Sequence, residues 1–268
     1  MIKTSVFSIY KEVFYMIIDI GIYKEEEMAL LFNGKKYEEL SNNSKTIIRN
    51  MFGHIRNDSI IECKRVDGFM KPDLVFTING ESHYLSMKSG SNGIVHQENI
   101  FNLCDHLKTI GISKYTIDTI LLFHFGDGTL DGTGKKRYPY KDVVHSLRKR
   151  IDYANKELNS NRRFVLHMVN RFIFKGTKDD NIQAEYVYHG DDEYGIIASR
   201  KQILMHTKMH KYEYLDNLHI GPLIMHPHAR YVNGPIKSQK KRNTIEMHWA
   251  NYFETLRKIT TRYNSGNL

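Results

Sequence analysis

The chain contains little cysteine, little proline and no long apolar run. Its 268 residues include 2 Cys and 5 Pro, and both cysteines, Cys63 and Cys104, lie inside apolar stretches. We therefore expect core cysteines in a reducing compartment and no disulfide framework. No apolar run approaches the roughly 18 residues that cross a membrane. The apolar N-terminal stretch carries Lys11, Glu12 and Asp19, which indicates an amphipathic helix, not a signal peptide, in a cytoplasmic protein.

Repeats and low-complexity tracts are also lacking. With 41% hydrophobic and 26% charged residues, the composition excludes disorder, collagen and coiled coil and is typical of a globular protein. The chain carries 39 Lys+Arg against 30 Asp+Glu, a net charge of +9 at pH 7. This excess makes a polyanion a plausible partner, although many basic proteins bind no nucleic acid.

Hydrophobic spacing predicts a single domain, 1–268. Its N-terminal part, 1–58, is expected to be helical, with helices over 5–20 and 24–56. Short β-type runs follow: IIECKRV, DLVFTI and HYLSMK. A helix over 95–110 and a buried strand over 117–125 complete a core of helix, three strands, helix and strand at 59–125.

The remaining part, 126–268, is expected to mix helices and strands. Spacing of apolar residues predicts a long helix from Val144 to Leu158 and strands over 164–175 and 183–189. A last helix is predicted to begin near Asn243, because Asn243 followed by Glu246 resembles a capping box.

The second and third β-type runs form the most specific structural signal. The Asn-Gly pair at 79–80 predicts a tight hairpin in which Ile78 faces Glu81. The same register makes Asp73 face Ser86. Because side chains alternate along a strand, Asp73, Ser86 and Lys88 share one face of the hairpin.

A carboxylate and a lysine on adjacent strands suit phosphodiester hydrolysis. The carboxylate of Asp73 can hold a divalent cation that activates water, while the Lys88 ammonium orients the water and offsets negative charge. Pro72-Asp73 followed by Ser86-Met87-Lys88 resembles the PD-(D/E)XK nuclease superfamily. A chance match on a surface hairpin is the competing interpretation.

The resemblance departs at Ser86, where the superfamily usually has a second acidic metal ligand. Some restriction enzymes of this superfamily take that acid from the following helix, and Glu98 is suitably placed on the predicted helix. The alternative is that Ser86 replaces an acid and abolishes turnover. A hydroxyl is a poor substitute for a carboxylate on a hard cation.

Further stretches extend the resemblance to a group of type II restriction endonucleases: GDGTLDGTG at 126–134, NRFIFKG at 170–176 and HIGPLIMHPHARY at 219–231. The resemblance implies an α/β fold with a restriction-endonuclease-like core, a central mixed sheet flanked by helices. It also implies a Mg²⁺-dependent endonuclease that cuts double-stranded DNA, with Asp73 and Glu98 as metal ligands. Cutting a short symmetric site favours a homodimer, and no membrane partner is expected.

Contacts to DNA are expected from the C-terminal third. Four basic residues precede the predicted last helix, where side chains and helix amides reach phosphates; they are Lys237, Lys240, Lys241 and Arg242. His226, His228 and Arg230 are candidates for reading base edges. A solvated basic loop is the competing interpretation.

Two other motifs are weaker candidates. Asp127 and Asp131 have neither the spacing nor the terminal Glu of a calcium loop, so a glycine-rich turn is favoured. His206 and His210 lie one helical turn apart, but a chain with 14 His contains such pairs by chance. The rivals to a restriction enzyme are a repair or RNA nuclease of the same fold, and a catalytically silent nucleic-acid-binding module.

Overall fold

The computed structural model describes residues 21–68, 70–88, 93–134, 137–177, 182–191, 193–214, 216–227 and 241–264. Contacts divide the chain into two compact units. Unit 1 comprises Met1–Gly90, Asp180–Arg200 and Leu256–Leu268, and unit 2 comprises Ser91–Asp179 and Lys201–Thr255. The single endonuclease domain stays a prediction, because compact units within a chain need not be independent domains.

Unit 1 is built on a six-stranded sheet in the order β1-β2-β3-β4-β6-β7. Strand β4 runs parallel to β6, whereas the other neighbours are antiparallel. The strands are β1 (Lys35–Lys36), β2 (Ile60–Arg65), β3 (Leu74–Ile78), β4 (Glu81–Lys88), β6 (Tyr186–Gly190) and β7 (Gly195–Ser199). The predicted α/β class with a mixed sheet flanked by helices is confirmed.

Two helices supply the other side of the unit 1 core. The described part of α1 covers 21–32, and α2 covers Asn42–Phe52. Phe32 at the end of α1 meets Phe76 of β3 edge to face, with ring centroids 5.0 Å apart. Both rings are fully buried, so α1 is anchored over the hairpin strands. The predicted helix over 5–20 lies outside the described residues.

The predicted hairpin is confirmed. Ile78 pairs with Glu81 and Leu74 pairs with Leu85, which is the register that a two-residue turn dictates. Asn79 adopts a φ of 52° and Gly80 a φ of 84°, as a tight turn of this type requires. The polar ends of β3 and β4 therefore meet at one edge of the sheet.

Unit 2 contains a four-stranded antiparallel sheet in the order β5-β10-β9-β8. Its strands are β5 (Ile94–Asn99), β8 (His219–Ile220), β9 (Leu223–Pro227) and β10 (Thr244–Trp249). Its helices are α3 (Ile100–Thr109), α4 (Lys114–Phe125), α5 (Tyr140–Ser160), α6 (Arg162–Asn170) with a π-helical turn (Arg171–Lys175), and α7 (Arg200–Met209), whose first residue belongs to unit 1. Helix α8 (Tyr252–Asn264) begins in unit 2 and continues in unit 1.

Two predicted strands of unit 2 are helices. The run over 117–125 lies in α4, which begins after the Ser113 cap and ends at Gly126 in the left-handed conformation. The run over 164–175 lies in α6 and the π-helical turn, after the Asn161 cap. The run over 117–125 is buried on several sides, and periodicity alone does not separate such a helix from a strand. The run over 164–175 has its buried residues at helical spacing, at Val165, Met168, Val169 and Phe172, a pattern that the strand prediction overlooked.

Two predicted helix starts are also wrong. Residues 94–99 form β5 before α3 begins, and 244–249 form β10 before α8 begins. In β10, Thr244 pairs with Asn99 and Ile245 with Pro227. Tertiary pairing on both sides of β10 outweighs the weak capping signal at Asn243. The predicted long helix (α5) and the strand near 183–189 (β6) are confirmed, with shifted ends.

Among the described residues, no helix combines the length and apolar character needed to cross a lipid bilayer.

Candidate active site

Asp73, Ser86 and Lys88 meet at the end of the β3–β4 hairpin. The Ser86 hydroxyl donates to Asp73 Oδ2 at 3.1 Å, and Lys88 Nζ donates to Ser86 Oγ at 3.0 Å. Lys88 Nζ lies 3.7 Å from Asp73 Oδ2. The predicted clustering of these side chains is confirmed, whereas their catalytic role stays a prediction.

The backbone of β4 completes this cluster. The Met87 amide donates to Asp73 Oδ2 at 2.5 Å, and Lys88 Nζ also donates to the Met87 carbonyl at 3.0 Å. The Asp73 side chain is 20% exposed and that of Lys88 is 25% exposed, while Ser86 is fully buried. The Asp73 carboxylate and the Lys88 ammonium are thus held in place by buried Ser86 and the Met87 backbone, and both remain reachable from solvent.

Glu25 on α1 is a residue that the sequence analysis missed. The pKa of Glu25 is raised to about 7, chiefly by burial and then by the negative charge of Asp73, against the opposing effects of Lys88 and Arg65. The next two residues on the helix, Glu26 and Glu27, are exposed. Within the run Lys24-Glu25-Glu26-Glu27, spacing does not single out Glu25, because only the packing of α1 over the hairpin brings it to Asp73.

Packing places α1 beside the end of β4. Met28 of α1 and Met87 of β4 belong to one buried cluster. Lys24 and Glu27 line a groove together with Met87. Glu25, between Lys24 and Glu27 in sequence, is therefore held next to the Asp73 cluster by the helix that carries it.

Lys71 adds a second lysine side chain to this cluster. Burial lowers the pKa of Lys71 well below its ordinary value, and the nearby charge of Lys88 lowers it further, while Asp73 acts in the opposite direction. Two carboxyl groups, Asp73 and Glu25, thus share a small region with Lys71, Lys88 and Arg65. The charges are nearly balanced, so an added cation or phosphate changes the protonation of its neighbours.

The donors at this cluster suit Mg²⁺. Asp73 and Glu25 provide carboxylate oxygens, and the Met87 carbonyl points to the Lys88 ammonium at the same place. Hard oxygen donors of this kind are those that Mg²⁺ prefers, with water filling the remaining positions. The residues present therefore fit the ion that the sequence resemblance implies.

Glu98 does not occupy the predicted position. It lies in β5 of unit 2, not on a helix, and its side chain is 3% exposed. Arg171 donates to both carboxylate oxygens, at 2.6 and 2.9 Å. Burial raises the pKa of Glu98, but the bonds from Arg171 and then His96 outweigh burial, and the pKa lies below its ordinary value. Its carboxylate is engaged in a buried ion pair in place of the expected metal site.

The predicted DNA-contacting residues fall into two groups. His228, Arg230, Lys237 and Lys240 lie outside the described residues. Lys241 is exposed ahead of β10.

Arg242 and His226, the other two described members, have local partners. Arg242 forms an ion pair with Asp127, whose side chain is fully buried. His226 lies in β9, 3.7 Å from Glu246 Oε2. The contact with Asp127 gives Arg242 a structural role that the sequence analysis did not anticipate.

The weaker motifs behave as ordinary structure. Asp127 and Asp131 each accept bonds from the amide and hydroxyl of the threonine two residues later, which is the behaviour of aspartate in tight turns. The rings of His206 on α7 and His210 just after it stack with centroids 3.9 Å apart. Neither motif gathers the ligands of a calcium or zinc site.

A cluster of three residues was not predicted from sequence as a metal site. One ligand atom from each of His226, Glu246 and His248 lies within 4.8 Å of the others. If 244–249 had been predicted as a strand, the two-residue spacing of Glu246 and His248 would have placed both side chains on one face of that strand. His226 required the pairing of β9 with β10.

Comparison of the chain with protein-family models, with curated proteins and with solved structures gives no match.

Proposed function

We propose that this protein is a metal-dependent endonuclease of the PD-(D/E)XK type that hydrolyses phosphodiester bonds of double-stranded DNA. The observation that carries the proposal is the Asp73–Ser86–Lys88 cluster at the end of a hairpin, with the Glu25 carboxyl beside it. A restriction-endonuclease-like core, formed by α1, the β2–β4 meander and the parallel strand β6, belongs to the same proposal.

Each residue of the cluster has a distinct role in this proposal. Mg²⁺, when bound, supplies a Lewis acid for the phosphate and lowers the pKa of a water molecule. Asp73 and Glu25 hold the ion with carboxylate oxygens. Lys88 orients the attacking water and offsets the charge that develops on the phosphate. Ser86 keeps the Lys88 ammonium near Asp73, since its hydroxyl bonds to both side chains.

Glu25 replaces Glu98 as the second acid in this proposal. The electrostatic influence of Asp73 on Glu25 indicates that the two carboxyl groups are neighbours. Two close carboxyl groups repel each other when both are ionised, and a divalent cation between them removes that repulsion. With its pKa raised to about 7, Glu25 is expected to be partly protonated near neutral pH in the metal-free protein.

Double-stranded DNA is the proposed substrate because the chain carries a net charge of +9. Basic proteins gain affinity for DNA from the release of condensed counterions. A homodimer cutting both strands of a short symmetric site, as in a type II restriction system, is part of the proposal. The rival proposal is an RNA nuclease with the same site, and the substrate that the protein cuts distinguishes the two.

The test is a plasmid digest with Mg²⁺ or with EDTA. We expect discrete fragments with Mg²⁺ and none with EDTA. Asp73→Asn and Lys88→Ala are each expected to reduce the cleavage rate by about 10²–10⁴-fold, which is typical for loss of one catalytic group. A matched control is the exposed pair of the same residue types, Asp105 and Lys108, with Nζ and Oδ1 2.9 Å apart.

The control variants Asp105→Asn and Lys108→Ala should cut at the parental rate. Cleavage by Asp73→Asn at the parental rate, with folding verified by circular dichroism, contradicts the assignment. A chain that binds duplex without Mg²⁺ and does not cut it supports the silent binding module. Digestion of RNA alone supports the RNA nuclease.

A further inference from the structure

Strands β9 and β10 bring two histidines and a glutamate to one face of the unit 2 sheet. Glu246 pairs directly with His226 across the two strands. His248 follows Glu246 by two residues in β10, so the two side chains point to the same face. The strand ladder therefore sets the positions of all three side chains without help from a loop.

The distances within this cluster are close to those of a metal site. His248 Nε2 lies 2.9 Å from Glu246 Oε2, and His226 Nδ1 lies 3.7 Å from the same oxygen. Ligands bonded to Zn²⁺ at 2.0–2.2 Å in tetrahedral geometry lie about 3.4 Å from one another. Small rotations of the side chains are enough to surround an ion.

Gln97 holds the carboxylate in this orientation. Its Nε2 donates to Glu246 Oε1 at 2.7 Å, and Gln97 pairs with Glu246 from the other neighbouring strand, β5. One oxygen of Glu246 is thus engaged by Gln97, while the other faces the two histidines. Side chains that do not touch the metal but orient a metal-bound carboxylate by a hydrogen bond are a regular part of metal sites.

We propose that His226, Glu246 and His248 bind Zn²⁺ through three protein ligands, with water in the fourth position. Imidazole nitrogens favour Zn²⁺ and the other late divalent metals over Mg²⁺. Zn²⁺ has no geometric preference of its own, so it accepts the three donors that a strand pair presents. The side chains of His226 and His248 are 28% and 23% exposed, whereas that of Glu246 is 8% exposed. The two histidine side chains are therefore reachable from solvent, whereas the carboxylate is buried.

The ligands proposed for Zn²⁺ and those proposed for Mg²⁺ belong to different units. All three ligands belong to unit 2, whereas Asp73, Glu25 and Lys88 belong to unit 1. The Asp73 cluster offers oxygen donors, and the β9–β10 cluster offers two nitrogens and one oxygen. The two sites are thus expected to select different metals, and either can fail without the other.

The experiment is a competition titration of Zn²⁺ between the full chain, first stripped of metal, and a chromophoric chelator. The wild-type chain is expected to take up one Zn²⁺. His248→Ala and Glu246→Gln are each expected to weaken binding by more than 10-fold. Gln97→Ala leaves all three ligands in place and should weaken binding by about 10–100-fold. The Gln97 variant keeps the proposal testable if a ligand variant does not fold.

The matched control is His206→Ala, because His206 on α7 stacks with His210 just after the helix. This variant should bind Zn²⁺ as the wild type does. Equal affinity in wild type and a folded His248→Ala variant overturns the proposal. Loss of Zn²⁺ in His206→Ala with retention in His248→Ala assigns the ion to α7 and also overturns it. Substitution with Co²⁺ should give visible absorption bands of tetrahedral strength, which His226→Ala should abolish.

Discussion

The carboxylate of Asp73 is oriented through a single oxygen. Its Oδ2 accepts from the Met87 amide at 2.5 Å and from the Ser86 hydroxyl at 3.1 Å. The hydrogen bond from the Met87 amide forms because the hairpin register places the end of β4 beside Asp73. The direction of the other carboxylate oxygen is thus set by the sheet, which is the kind of support that a precise catalytic or metal site requires.

The first prediction at this scale concerns Glu25. Glu25→Gln removes a carboxylate that we assign to the metal, so cleavage should fall by at least about 100-fold and the Mg²⁺ concentration for half-maximal rate should rise. Glu26→Gln is the matched control, because Glu26 is exposed on the same helix. A Mg²⁺ titration of the cleavage rate measures both variants. Unchanged kinetics in Glu25→Gln would remove this residue from the site.

The second prediction concerns Ser86, which is buried between Asp73 and Lys88. If Glu25 is the second acid, the chain cuts DNA, and Ser86→Ala should slow it by about 10- to 100-fold, because a hydrogen bond to a charged group is worth about 1.5–3 kcal/mol. If Ser86 instead stands in place of a lost acid, the chain binds DNA without cutting, and Ser86→Glu should create activity. Single-turnover cleavage by the parent and both variants separates the two cases.

At the scale of elements, the sequence predicted the features that local signals encode and missed those that tertiary packing determines. The hairpin was predictable because Asn79 and Gly80 encode its turn locally. The clustering of Asp73, Ser86 and Lys88 followed from that register. Glu25 was not predictable, because it reaches the site through the packing of α1, which leaves no local pattern.

The errors in unit 2 have related causes. The run over 117–125 is buried nearly throughout, and its helical state is encoded at its ends by Ser113 and Gly126. The residues of β10 show a plausible cap, but they form a strand because β5 and β9 lie on either side. Glu98 was assigned to a helix two residues before that helix begins, and its metal role was inferred from that position.

The third prediction concerns the element β5 and the Glu98–Arg171 pair. Both side chains are at least nine-tenths buried, so Arg171→Met leaves the Glu98 carboxylate buried without its bidentate partner and should lower the free energy of unfolding by about 3–5 kcal/mol at pH 7. The pKa of Glu98 is lowered in the folded state. Its stabilising contribution is therefore present above its ordinary pKa of about 4.5 and is lost as the pH falls through the lowered value.

Urea unfolding of wild type and Arg171→Met between pH 3 and pH 8 measures this contribution. The difference between the two proteins should be largest above about pH 4.5 and should shrink in acid. Lys108→Ala, which breaks an exposed pair on α3, serves as the control and should show no such trend. A constant difference across the pH range would mean that Glu98 does not depend on Arg171 for its charge.

At the scale of the whole molecule, the net charge of +9 predicts a steep dependence of DNA binding on salt. Each phosphate contact contributes a slope of about −0.9 in a plot of log affinity against log salt. Lys241 is exposed and available for such a contact, whereas Arg242 is paired with the buried Asp127. The two neighbouring basic residues are therefore expected to differ in their effects.

The fourth prediction follows from this difference. Lys241→Ala should make the salt slope shallower by about 1 and leave the melting temperature unchanged. Arg242→Ala should leave the slope unchanged and lower the melting temperature, because it leaves the Asp127 carboxylate buried without its partner. Fluorescence titrations of labelled duplex at several salt concentrations and thermal unfolding measure the two effects. Identical behaviour of the two variants contradicts the separate roles.

The parallel pairing of β4 with β6 has a consequence for biosynthesis. Residues 91–179, which belong to unit 2, are translated between these two strands. Until β6 leaves the ribosome, β4 has a bare edge on a nascent chain, and bare edges pair with other chains. Since Ser86 and Lys88 lie on this strand, the segment that builds the site is also exposed to aggregation during synthesis. Slower production at low temperature should therefore raise the yield of folded protein.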